Sequence, residues 1–304
     1  MHIRDLFRQG SPLFSIELFP PKTPEGVAGL KDKLQEIRAH RPDFISVTYG
    51  AGGGTRHTTH EICAHIQAPL GMVAMAHLTC AAHTRDEIAG VLARLHAAGI
   101  DNIMALRGDP PPGGVFVAPE HGYAHAVDLV RVIAEQGHAC IGVAGYPQGH
   151  AEASSYIADL ARQVEKIQAG ADFVVSQFFL DNAHFLRWRD DLARRGVTVP
   201  VLAGILPALS APQVARFAKL AGVSIPAALM AGLEHFEEHP ESAAAYGLVY
   251  AMRQVDQLLS EGVAGIHLYA LNRLESIRSI SALVRERQVR AQPGTRAHLT
   301  PAPG

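Results

Sequence analysis

At 304 residues, with 48% hydrophobic and 18% charged side chains, the chain has the composition of an ordinary soluble globular protein with a large core, neither disordered nor membrane-spanning. A formal net charge of -2, with Lys and Arg scattered along helix faces, provides no basic field for nucleic acid. Cys63, Cys80 and Cys140 have neither paired nor metal-ligand spacing, and the N-terminal MHIRDLFRQG lacks an apolar stretch long enough for a signal peptide, so the expectation is no metal, no membrane and a reducing cytoplasm.

Strand-like runs alternate with stretches of helical periodicity from FSIELF at 14–19 onward. Behind it a helix is predicted over about 25–39, where Val27, Leu30, Leu34 and Ile37 recur every three or four residues. FISVTY at 44–49 leads through GAGGGTRH at 50–57 into a helix over about 57–67, and VAMAHL at 73–78 precedes one over about 84–98. NIMALR at 102–107 is followed by DPPPGGVFVAPEHG at 109–122, whose prolines and glycines forbid regular structure, and by a helix over about 123–136. After CIGVAGY at 140–146, the helix at about 154–169 is predicted to bury Tyr156, Ile157, Leu160, Val164 and Ile167, with Asp159 and Lys166 off that stripe. FVVSQFF at 173–179 precedes a helix over about 181–195, and VPVLAGIL at 199–206 precedes residues 210–262. That long unit holds at least two helices, separated by GVSIP at 222–226, and is expected to form a lid. GIHLYAL at 265–271 is the last run, and the chain beyond about 288 reads as a frayed polar tail.

Strand-then-helix alternation argues a parallel sheet with helical crossovers. Closing eight such units gives an α/β fold, a (β/α)8 TIM barrel with extra helices between strands 7 and 8. One barrel accounts for nearly the whole chain, read as a single domain with its core over about 12–288. In this architecture the active site lies where the strands end, and there a polar or charged residue closes almost every run.

Glu17 sits between Ile16 and Leu18 just before Phe19, Pro20 and Pro21. Apolar surroundings disfavour a carboxylate anion, and a carboxyl group so placed can act as a general acid or pair with an arginine of another strand. Parity places Ser15, Glu17 and Phe19 on one face, Ser46 with Thr48, His77 with Val73 and Met75, and Gln177 with Val175 and Phe179. Polar groups on strands buried on both faces need partners or a ligand, although His77 taken singly reads as a hydrogen-bonded core histidine rather than a catalyst. GAGGGT at 50–55 fails the dinucleotide fingerprint because Thr55 stands where glycine is required, and no phosphate-binding GK[ST] loop is present. RGDPPPGG at 107–114 sets Arg107 and Asp109 on either side of Gly108, an arrangement suited to a phosphate and a polar ring, or to a salt-bridged turn.

Taken in order, ELFPPKT (17–23), SVTYGAGG (46–53), AHLTC (76–80), ALRGDPPPG (105–113), AGYPQGH (144–150), SQFFLD (176–181), GILP (204–207) and LNR (271–273) resemble the methylenetetrahydrofolate reductase family over about residues 12–285. The resemblance implies a TIM barrel holding FAD, which NADH or NADPH reduces and which then reduces 5,10-methylenetetrahydrofolate to 5-methyltetrahydrofolate in a ping-pong sequence. It implies Glu17 as the general acid that opens the folate ring, and Asp109 as the charge beside the flavin. It further implies FAD contacts at Tyr49, Ala51, His77, Arg107, Gly108, Tyr146, His150, Ala153, Asp159 and Lys166, with Arg107 and Lys166 at phosphate. Ala126 follows a loop, 110–126, that is longer than the family pattern and is a further FAD neighbour. Thr48 and Gln177 match nicotinamide contacts; Gln177, Gln213 and Arg273 match folate contacts, and Phe217 stacks on either substrate. Arg162 and Glu165 take no role from the resemblance, and Ala270 replaces a threonine common before LNR.

Homo-oligomerisation is expected, as is the absence of a regulatory domain and of inhibition by S-adenosylmethionine. Two other readings compete: a pterin-binding barrel that transfers methyl groups without redox chemistry, and a non-catalytic folate-binding or assembly partner. The methyl-transfer reading predicts no flavin spectrum, and the non-catalytic reading predicts that Glu17→Gln leaves all measurable behaviour unchanged.

Overall fold

Strands with apolar side chains on both faces have no surface to offer water and need cover on each side. The computed structural model, which describes residues 1–49, 56–110, 114 and 116–291, shows how the chain supplies it. A helix α1 (Ile3–Leu6) and a 3-10 turn (Phe7–Gln9) lead to β1 (Leu13–Leu18), α2 (Pro24–Ala39), β2 (Phe44–Val47), α3 (Arg56–Gln67), β3 (Ala74–Thr79) and α4 (Arg85–Ala97). Next come β4 (Asn102–Leu106), α5 (Ala126–Gln136), β5 (Cys140–Gly145), α6 (Tyr156–Gln168), β6 (Phe173–Ser176) and α7 (Asn182–Arg194). The chain continues with β7 (Val201–Ile205), α8 (Ala211–Ala221), α9 (Ala227–His235), α10 (Pro240–Ser260), β8 (Gly265–Tyr269) and α11 (Leu274–Ala291).

The eight strands are parallel and close in sequence order, β8 pairing back onto β1. This is the predicted TIM barrel, with every predicted strand present. The predicted helices also form, several with the caps their sequences offer. Thr23 accepts from Gly26 N ahead of Pro24, and Thr84 and Glu87 form a reciprocal capping box on α4. Residues 210–262 hold three helices, with 222–226 as the break between the first two. The glycine loop at 50–55, residues 111–113 and 115, and the tail from 292 lie outside the described residues.

The core divides into an outer layer between strands and helices, which includes Leu34, Ile62, Ile88, Trp188 and Ile280, and an inner plug inside the barrel. Leu13, Phe44, Met75, Met104, Phe173 and Leu202 fill the plug at the end where the strands begin. Helix α1, which the sequence reading missed, seals that end. Ile3 is fully buried, its amide donates to Asn102 Oδ1 at 2.9 Å, and Arg4 pairs with Asp172 at 2.9 Å. Four residues are too short for a periodicity signal, so only the tertiary contacts make this helix.

Helix α6 departs from its predicted face. Ile157 is 60% exposed, whereas Asp159 and Gln163 are buried with Leu160 and Ile167. Asp159 accepts from the His150 amide at 3.0 Å, and Gln163 Oε1 accepts from the Tyr146 amide at 2.9 Å and from Trp188 Nε1 at 3.1 Å. These polar groups go inside because they satisfy the loop after β5, which hydropathy cannot register.

Truncating the plug tests the role of α1. Ile3→Ala should lower unfolding stability by about 2–5 kcal/mol, the range for deleting a buried aliphatic side chain. Urea denaturation of the purified variant measures it, and an unchanged midpoint would mean α1 does not seal the barrel.

Candidate active site

Alternation along β1 turns Ser15 and Glu17 into the barrel, one layer above the plug, and the register sets Glu17 beside Ser46 of β2 and Tyr269 of β8. Glu17 is only 7% exposed. Its Oε2 lies 3.4 Å from His77 Nε2 and 3.6 Å from His267 Nε2. Both ring nitrogens are buried without a hydrogen-bond partner, as is Ser46 Oγ. Burial lowers the pKa of His77 below the ordinary histidine value despite the nearby Glu17 carboxyl, so its ring is neutral at neutral pH and no formal ion pair forms. His267 is held from behind: its Nδ1 lies 2.8 Å from Ser15 Oγ, and Phe44 stacks on the ring at 6.1 Å. Tyr269 donates its hydroxyl to Ser176 O at 2.8 Å, and burial, with Glu17 adding to it, pushes that phenol well above its ordinary value. Orphaned buried nitrogens around a carboxyl group at a cavity floor are a site that expects a ligand.

Above this cluster opens a mouth of about 560 Å³, lined among others by Thr48, Tyr49, Asp109, Gln177 and Phe217. Its edge is tied where the first and last strands end, because the Phe19 amide donates to Asn272 Oδ1 and Asn272 Nδ2 donates to Phe19 O, both at 3.1 Å. Asn272 and Leu271 hold φ values of 56° and 50° to make that turn. Tyr49 OH meets His83 Nε2 at 3.0 Å.

The mouth shares Leu106, Arg107, Ala144, Tyr146 and His150 with a second cavity of about 630 Å³ running outward between α5 and α6. Beside Arg107, Gly108 lines the mouth in a conformation and a space that only glycine fits: its φ is 91°, and a Cβ there would come within 2.6 Å of Ala81 Cβ. Arg107 does not pair with Asp109. Its guanidinium makes a two-pronged contact with Glu152, at 2.6 and 2.8 Å, and covers the Phe116 ring at 4.8 Å. Deeper in the cleft, Lys166 Nζ donates to Ala144 O at 2.6 Å and lies 5.6 Å from the Tyr146 ring. Burial lowers the lysine pKa to about 8, Asp159 opposing, and raises the Tyr146 hydroxyl to about 12.

The structure therefore gathers Glu17, Thr48, Tyr49, His77, Arg107, Gly108, Asp109, Tyr146, His150, Gln177 and Phe217 around the mouth. It sets Ala126, Ala153, Asp159 and Lys166, with Arg162 and Glu165, along the outward cleft. Gln213 and Arg273 instead line a separate depression of about 550 Å³, and Gln213 Oε1 is engaged by the Leu209 amide at 3.2 Å. Ala51 lies outside the described residues. The sequence reading missed Ser15 as a partner, His267, Tyr269 and Glu152. The same parity that singled out Glu17 marks His267 and Tyr269 in GIHLYAL, but nothing local pairs Glu152 with Arg107, 45 residues away.

Among the described residues, no helix is long and apolar enough to cross a membrane. In overall shape the chain is similar to a Clostridium thermocellum protein described as binding two copies of 5-methyl-5,6,7,8-tetrahydrofolic acid. The TM-score is 0.62 at 14% identity, covering 94% of this chain and 99% of that one. A dihydropteroate synthase from Xanthomonas albilineans has a TM-score of 0.51 at 16% identity, covering 93% and 94%. At such identities the likeness is one of fold. Sequence relatives lie nearer. The chain is 37% identical over 282 residues to Methylenetetrahydrofolate reductase (NADH) 1 of Arabidopsis thaliana, covering 89% of this chain and 48% of the relative. It is 39% identical over 267 residues to 5,10-methylenetetrahydrofolate reductase of Salmonella typhimurium, covering 88% of each. It thus spans about half the length of the plant relatives it matches. Residues 2–284 match the family description Methylenetetrahydrofolate reductase, and the chain belongs to that family.

Proposed function

We propose that this chain reduces 5,10-methylenetetrahydrofolate to 5-methyltetrahydrofolate with electrons from NADH or NADPH, using bound FAD and one mouth for both substrates in turn. The observation that carries the reading is Glu17, buried on the floor of that mouth between two histidine nitrogens that lack partners. Family membership supplies the reaction class, and NADH is the donor in the names of the Arabidopsis and maize relatives.

The residues fit a flavin dinucleotide. Two joined cavities of about 560 and 630 Å³ offer a broad chamber for a planar ring and a channel for the remainder. Arg107 and Lys166 supply cationic groups along that channel, and Tyr49, His77, Gly108, Tyr146 and His150 border the chamber. FAD, when bound, supplies the ability to accept hydride from the nicotinamide and to release it to the folate. Arg107 must exchange Glu152 for phosphate, and the half-exposed Glu152 side chain can swing into water as it does so. Thr48 and Gln177 present polar groups to the substrate in the mouth, and Phe217 offers it a flat apolar face.

The protein's chemical contribution is proton delivery. Opening the five-membered ring of the folate breaks a bond between the methylene carbon and nitrogen, and that nitrogen needs a proton as the bond breaks. Glu17 is the acid we assign to it, set between His77 and the Ser15–His267 pair. Asp109, which also lines the mouth, adds negative charge there that favours a cationic folate intermediate.

The purified protein should be yellow, bleach anaerobically with NADH or NADPH, and recover its colour with methylenetetrahydrofolate or menadione; a colourless preparation that cannot be loaded with FAD would end the proposal. Glu17→Gln should cut folate reduction by about 10²-fold or more while leaving NADH-driven menadione reduction largely intact. Equal loss in both assays would make Glu17 structural.

Lys166 gives a pH signature. It is charged below about 8 and neutral above, so an anionic phosphate beside it is held fully at lower pH and less as pH rises through that value. FAD binding, followed by flavin fluorescence, should weaken about tenfold by about pH 9, and Lys166→Gln should flatten the profile. A wild-type profile already flat across that range removes Lys166 from the phosphate.

A further inference from the structure

We propose that the closed end of the barrel carries a divalent transition-metal site of the zinc class, formed by His96, Asp101 and His138. These residues come from three places: His96 from the last turn of α4, Asp101 from the position before β4, and His138 from the connection between α5 and β5. All three lie where strands begin, at the opposite end from the mouth. One ring nitrogen of each histidine and one carboxylate oxygen of Asp101 fall within 4.8 Å of one another.

Local geometry favours a shared cation over separate contacts. His96 Nδ1 lies 2.7 Å from Asp101 Oδ1, and the two imidazole rings have centroids only 3.9 Å apart at 44°. A proton can link His96 to Asp101 but leaves His138 outside the pair, and two imidazolium rings at that spacing would repel. A dication bound by two neutral imidazoles and one carboxylate serves all three groups at once, and water can take the remaining tetrahedral position. Two nitrogens and one oxygen suit zinc and its neighbours rather than magnesium or calcium, which take oxygen ligands.

The frame around the site is already held. The Asp101 carbonyl accepts from the Cys140 amide at 2.7 Å, and the Ile100 amide returns to Leu95 O at 2.9 Å. His138 Nδ1 donates to Gln136 O at 3.3 Å, which steadies the ring beside His96 and leaves Nε2 as the nitrogen available to a metal, the second-sphere arrangement common for metal-bound histidine. Tetrahedral bonds of about 2.0–2.1 Å separate ligand atoms by about 3.3 Å and bound imidazole centroids by about 5 Å, so the His96 to Asp101 contact opens by roughly half an ångström and the two rings part by about 1 Å when an ion enters. With its side chain 55% exposed, His96 is free to make that shift. The bound ion would bolt together the connections before β4 and β5 and take no part in chemistry at the mouth.

The test uses full-length protein without a polyhistidine tag, stripped of metal and titrated with zinc chloride by calorimetry, with thermal melting in parallel. One saturable equivalent and a rise in Tm are expected, with no rise from magnesium chloride. His96→Ala and His138→Gln should each weaken zinc binding by at least about tenfold and remove the Tm rise, while far-UV circular dichroism without zinc stays native. Asp101→Asn serves the same purpose if either histidine variant folds poorly. Absence of a zinc-dependent Tm shift in the wild type, or its survival in the double histidine variant, overturns the proposal.

Discussion

Ladder hydrogen bonds between the first and last strands set Ser15 beside His267 and Glu17 beside Tyr269, and the carboxyl and imidazole cluster exists only because the cylinder closes there. An open sheet of the same eight strands would leave β1 and β8 at opposite edges, with Glu17 and His267 unable to meet. Closure also explains why such polar groups can be buried. Each strand is covered by helices outside and by side chains within, so Glu17 sits in a layer whose other occupants are Ser46, His77, Tyr269 and the backbone of small residues such as Gly204. The asparagine clamp between Asn272 and Phe19 repeats the same junction one level higher, at the edge of the mouth.

Charge is distributed unevenly along the two joined cavities. The mouth holds the Glu17 and Asp109 carboxyl groups and the neutral His77 imidazole, with Glu17 and His77 buried at its floor, where a single proton or charge has large consequences. The outward cleft is lined by four cationic side chains, and the two assigned to phosphate are engaged: Arg107 by Glu152 and Lys166 by the Ala144 carbonyl. A cation kept in place by an exchangeable partner avoids an unpaired charge and remains available to an anionic ligand. Asp159, buried under the loop after β5, contributes through the same region by holding the His150 amide and by opposing the loss of the Lys166 proton.

The opposite end of the barrel is built on packing. Phe44, Phe173 and Met104 fill the interior and α1 seals it, giving the mouth a rigid base. Phe44 links the two layers because it belongs to the plug and also stacks on His267. The extra helices α8 and α9 add a separate apolar cluster, with Leu206, Val214, Leu229 and Leu233, that places Phe217 against the mouth.

Periodicity and parity, both local properties, determined much of this protein from the chain alone: eight strands, the order of their helices, which residues share a face with Glu17 and with His77, and the polar residues at the strand ends. Eight ordered motifs likewise sufficed to mark the family, since each lies within a short stretch of chain. Only the tertiary structure decided which of these residues meet. The approach of Glu17 to His267, and the pairing of Arg107 with Glu152, bring together side chains far apart along the chain, and such contacts leave no periodic trace. The buried polar face of α6 was illegible for a related reason: Asp159 and Gln163 are buried by the hydrogen bonds they make to another segment, and hydropathy weighs a side chain without its partners. Helix α1 is too short to reveal itself by pattern, and Gln213 and Arg273 turn out to line a neighbouring depression because the path of α8 and of the turn after β8 is set by packing.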